Sequence, residues 1–121
     1  MSRDQQRLAD YLSHILEAIE RIEHYTEDIS EVDFLGNSLV QDAVVRNLEV
    51  IGEASHKIEQ HYPMFAERNP ELPLSSAYQM RNAITHGYFK VDWEIVWKTI
   101  QTNLPDLYHQ VKAAQATLPK A

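Results

Sequence analysis

The chain has 121 residues, 44% of them hydrophobic and 24% charged, with no cysteine and a net charge of −7. That length fits one domain with its own apolar core, so residues 1–121 are read as a single unit. The missing cysteines exclude disulfides and thiolate metal sites and fit a reducing cytoplasm. No apolar run approaches the about 20 residues of a membrane span, and the first residues lack the apolar core of a signal peptide. The acidic balance speaks against a general nucleic-acid-binding surface, DNA included.

In chain order, Leu8, Tyr11, Leu12, Ile15, Leu16, Ile19, Ile22 and Tyr25 recur at three- and four-residue steps and predict an amphipathic helix over about residues 4–25. Ser30 followed by Asp33 resembles an N-terminal cap. A short helical piece near 31–36 is expected to bend at Gly36-Asn37-Ser38. A second long helix follows over 38–61, with Leu39, Ala43, Val44, Leu48, Ile51, Ala54 and Ile58 as its buried stripe. Gly52 sits in its middle, where it costs up to about 1 kcal/mol against alanine; close approach of a neighbouring helix accounts for it.

Pro63, Pro70 and Pro73 predict a loop over 62–74, tacked to the core by Met64 and Phe65. A third helix over 76–86 is expected, capped by Ser75 or Ser76 and ended by Gly87. Asp92 begins the last helix, which Pro105 kinks or restarts. With no strand alternation, the fold class is all-α: an up-and-down four-helix bundle with a short extra helical segment. The generous apolar stripes suit a homodimer.

The charge is uneven. Residues 1–62 carry 5 basic and 13 acidic side chains, a net −8, whereas residues 63–121 carry 6 and 5, a net +1. A polyanion would meet the second half, which holds Arg81-Asn82-Ala83-Ile84-Thr85-His86-Gly87-Tyr88. Histidine moves protons near neutral pH, and the arginine fork stabilises charge on phosphoryl oxygens. Together they suit metal-free RNA cleavage by the substrate's own 2′-hydroxyl, with Asn82 orienting the phosphate or the histidine. Residues five apart on a helix point about 140° away from each other, so His86 must turn back, Arg81 reach around, or a second subunit contribute. Alone, Arg-x4-His is a weak pattern, which a surface arginine and a helix-end histidine bonded to terminal carbonyls also produce.

The surrounding residues are more specific. Arg81-Asn82-x-x-x-His86-Gly87-Tyr88 resembles the Arg-polar-x3-His-x-Tyr signature of the HepT-like toxins, helical ribonucleases of the HEPN superfamily. The stretch Arg46 to Ala54 resembles that family's second-helix block, and Val91 to Trp97 resembles the segment after its active site. The resemblance covers nearly the whole chain. It implies a dimeric, metal-independent RNA endonuclease needing no cofactor, with Arg81 and His86 catalytic and Asn82 supporting. It also implies a minimal nucleotidyltransferase antitoxin of the MNT type that adds AMP to Tyr88. A bulky anion there would block RNA and repel its phosphates.

The six histidines show no metal-ligand spacing. Glu49 and Glu53 form either an exposed charge ladder or a support for Arg81. Trp93 and Trp97 are expected to pack in the core or a dimer seam, and Lys90 is a candidate for binding phosphate. No glycine-rich phosphate loop is present. The rival reading is a non-catalytic docking or substrate-binding module for a nucleotidyltransferase. The acidic charge favours it and the intact Arg-His-Tyr set disfavours it.

Overall fold

The computed structural model describes residues 2–86 and 91–119. The expected helix end at Gly87, and the positions of Tyr88 and Lys90, lie outside the described residues. Among those residues the structure is helical, with no strand.

Helix α1 (Arg3–Thr26) starts at Ser2, whose side chain accepts from the Gln5 amide while the Gln5 side chain accepts from the Ser2 amide. This reciprocal cap satisfies two donors that the first turn would leave bare. Leu12, Ile15, Ile19 and Ile22 are fully buried, each burial contributing about 1.5–3 kcal/mol. Tyr25 does not join that stripe: it is 38% exposed, and Thr26 is buried in its place with its hydroxyl donated to the Ile22 carbonyl.

Helix α2 (Glu31–Leu35) has the expected Ser30 cap, and α3 spans Ser38–His61 as predicted. Asn37 caps α3 by accepting from the Val40 amide, which places Leu39 in the solvent-facing first turn. Leu39 is accordingly 80% exposed rather than part of the buried stripe.

The stretch 62–74 is not wholly a loop, because Pro63–Arg68 forms helix α4. Proline is suited to a first turn, where its fixed φ fits and its missing N–H has no partner to lose. Phe65 packs on the core while Met64 stays exposed, contrary to the expectation for Met64.

Helix α5 (Leu74–His86) begins before both serines predicted to cap it. Ser75 instead donates to Glu59 Oε2 at 2.5 Å. Helix α6 (Trp93–Lys98) is capped by Asp92. It passes through a π-helical stretch (Thr99–Asn103) into α7 (Leu104–Ala116). Pro105 explains that widening: its ring would clash with the carbonyl four residues back, so the ladder loosens a turn early. Trp93 and Trp97 lie against buried Phe34, ring centroids 6.0 and 5.3 Å apart, and pack on the core as expected.

Helix directions alternate. Tyr62 at the end of α3 donates to the Asp4 carbonyl at the start of α1. Burial, then the nearby Asp4 carboxylate, raises the pKa of that phenol. Tyr108 to Glu20 and Gln115 to Ser13 run α7 antiparallel to α1. Helix α3 packs against both α1 and α5.

Candidate functional site

The site forms along the seam between α3 and α5. Antiparallel helices share one rise per residue, so partners climb one helix while descending the other. Gly52 meets Arg81, Glu53 meets Arg81, His56 meets Tyr78, and Glu59 meets Ser75.

Gly52 is the close approach that the sequence anticipated, and its partner is Arg81 itself. A Cβ at position 52 would lie 2.2 Å from Arg81 Cβ, 2.8 Å from its Cγ and 3.1 Å from the Ala77 carbonyl oxygen. Only a residue without a side chain lets the arginine stem pass here.

The guanidinium is then held at two points. Nη2 donates to Glu53 Oε1 at 2.6 Å, and Nη1 donates to Asn82 Oδ1 at 2.9 Å. Asn82 therefore orients Arg81 in this arrangement. Arg81 Nε is buried and has no hydrogen-bond partner among the described residues. The pair is not sealed off: the Arg81 side chain is 24% exposed and that of Glu53 54%. A pair that open contributes at most about 1 kcal/mol. Its consequence is geometric, since it fixes which way a planar fork faces.

One helical turn away from this pair, His56 stacks on Tyr78 with ring centroids 3.9 Å apart and planes 11° from parallel. Scattered surface histidines were expected, and His56 departs from that: it is half-buried in the seam. A signal existed in the spacing, because His56 follows Glu53 by three residues and Tyr78 precedes Arg81 by three.

Helix α5 continues as far as His86, so Arg81 and His86 share one helix five residues apart. The position of the His86 side chain lies outside the described residues. Among the described residues no group of three or more His, Asp or Glu side chains is placed to hold a metal ion. No helix among them is long and apolar enough to cross a membrane.

Two clefts flank the seam. One, of about 360 Å³, lies between α3, α5 and α7, is lined by Leu48, Ile51, Met80, Leu104 and Leu107, and does not include Arg81 or Asn82. The other, of about 320 Å³, lies between α1 and α3 and includes Glu53.

The family model described as "Ribonuclease HepT-like" matches residues 15–114. A Thermococcus cleftensis protein named "Probable ribonuclease HepT" is 44% identical over 98 residues, 81% of this chain and 86% of that one. "Gamma-glutamylcyclotransferase and putative RNase MJ0434" of Methanocaldococcus jannaschii is 36% identical over 110 residues, 91% of this chain but 48% of its own length. "Putative RNase MJ1380" of the same organism is 33% identical over 102 residues, 84% of this chain and 91% of that one. No solved structure matches the chain.

Proposed function

The chain belongs to the HepT-like ribonuclease family, and from that membership we propose that it is a metal-independent RNA endonuclease, the toxin of a toxin–antitoxin pair. The observation that carries this reading is the mounting of Arg81: its stem threaded past Gly52 and its fork held by Glu53 and Asn82. A solvent-facing arginine with no task needs no glycine opposite it.

In this reading the Arg81 fork binds the scissile phosphate and stabilises the charge that grows on its oxygens during attack by the 2′-hydroxyl. The fork hydrogens on Nη1 and Nη2 that Glu53 and Asn82 leave free supply donors for those oxygens. His86 transfers protons to and from the reacting oxygens. Glu53 and Asn82 are positioning residues. The 140° offset between Arg81 and His86 on one helix favours a cleft completed by a second copy, so the active form is a homodimer of four-helix bundles. The partner is a minimal nucleotidyltransferase that silences the site by adding AMP to Tyr88.

The test is cleavage of tRNA and mRNA in EDTA by purified protein, beside His86→Ala, with intact mass checked for AMP adducts. Cleavage that falls by about 10² or more in the variant supports the reading. An unmodified wild-type protein that cuts neither RNA would refute it and favour a docking module.

A further inference from the structure

We infer that the cleft between α1 and α3 is a binding subsite for the RNA nucleotides that flank the cleaved one. This inference rests on the ribonuclease reading and extends it to a surface that the Arg-His motif does not include.

The cleft is continuous with the candidate site through one residue. Glu53 lines it, and the same carboxylate sits 2.6 Å from Arg81 Nη2. Arg46, Glu49, Glu53 and Lys57 also line it, at steps of three, four and four residues, so they form one stripe along α3. Tyr11 and His14 from α1 form the opposite wall. At about 320 Å³ the cleft is at the small end of the roughly 300–1,000 Å³ typical of ligand sites. It suits a nucleotide-sized group better than a folded partner.

Its chemistry fits a single strand of RNA. Arg46 and Lys57 make no ion pair with another described residue, although the surrounding half of the chain is strongly acidic. They are eleven residues apart, about 16 Å along the helix, so they would meet different phosphates. The stripe itself carries two cations and two carboxylates, so the cleft is balanced in charge where the surrounding half of the chain is net −8, and one of its carboxylates, Glu53, is held by Arg81.

In the same cleft, Tyr11 is half-buried and packed on the core. It meets His14 and Tyr62 edge-on, with centroids 6.2 and 6.5 Å apart, and neither ring stacks parallel on it. Anchored aromatic rings beside a cationic groove are how sequence-tolerant single-strand sites hold bases. Glu49, also in the lining, is a carboxylate acceptor for the amino group of a base.

The experiment uses the intact protein and a single-stranded RNA of about a dozen nucleotides, with 2′-deoxy substitution to prevent cleavage. Binding is measured across a salt series, and cleavage of unmodified RNA is followed in the same proteins. Arg46→Ala with Lys57→Ala is expected to weaken binding about tenfold and to flatten the salt slope by about 1.4, roughly 0.7 for each single-strand phosphate left without its cation. Tyr11→Leu, with an unfolding curve recorded to confirm the fold, is expected to weaken binding about fivefold with the slope unchanged, because stacking is not ionic. Arg21→Ala with Arg68→Ala removes the same charge outside the cleft and is expected to change affinity less than twofold, well below the effect of the paired cleft cations.

If the cleft pair and the control pair behave alike, the subsite inference is overturned; unchanged cleavage in the same samples would leave the ribonuclease reading standing. Loss of nucleotidyltransferase binding with RNA affinity retained would also overturn it and give the cleft to a protein partner. A wild type that binds RNA without cutting it removes the ribonuclease reading, while the salt slope still decides the subsite.

Discussion

The buried stripe of α1 and the seam between α3 and α5 are both helix packing, yet they are built differently. Along α1, Leu12, Ile15, Ile19 and Ile22 are aliphatic and fully buried, and the polar links to other helices sit at the rim. Between α3 and α5 the meeting residues are a glycine, an arginine, two glutamates, a histidine, a tyrosine and a serine. Aliphatic packing is non-directional and proportional to area, and supplies stability. The α3–α5 seam forgoes some of that area to hold a cation at a fixed angle near solvent. The first region keeps the chain folded, and the second is where we propose that the chemistry is placed.

Mutations separate the two regions. The largest loss of stability is expected for Ile15→Ala, about 2–5 kcal/mol by denaturant unfolding. RNA cleavage per folded molecule should be unchanged, since Ile15 touches only the core. Gly52→Ala comes next. On an open helix face that change would stabilise by up to about 1 kcal/mol. Here the new Cβ would sit 2.2 Å from Arg81 Cβ with the Ala77 backbone behind it. A net loss of about 1–3 kcal/mol is expected from overpacking, with cleavage falling further than the unfolded fraction explains. A gain in stability would show that the helices separate freely and that the close approach is incidental.

The smallest effect on stability belongs to Glu53→Gln, within about 1 kcal/mol because the pair is half-exposed. Its effect on turnover should be larger. The amide keeps the size but loses the charge that aims the fork, so kcat is expected to fall about tenfold while RNA affinity does not weaken. A fall in affinity with kcat intact would mean that Glu53 touches substrate and does not position Arg81.

Much of the fold was legible because it rests on periodicity. The bounds of α3, the Ser30 and Asp92 caps and the restart near Pro105 all follow from local rules. The misreadings have local causes too. Leu39 and Tyr25 fit the spacing, but Leu39 lies in the exposed first turn after the Asn37 cap and Tyr25 beside the buried Thr26. Pro63 reads as a breaker and acts as a helix start. The site was legible in part. Arg81 and Asn82 stood out in the motif, and Gly52 announced a close neighbour. That the neighbour is Arg81, that Asn82 holds it, and that His56 stacks on Tyr78 depend on the register of two helices, which no local pattern encodes.

The most direct measurement is RNA cleavage in EDTA by Arg81→Lys beside the wild type, with both unfolding curves recorded. Lysine keeps the charge and the stem against Gly52 but loses the planar fork that Glu53 and Asn82 orient. The expected result is an unfolding midpoint close to wild type with cleavage reduced by about 10². Cleavage at the wild-type rate would contradict the claim that this seam exists to aim the arginine at a phosphate.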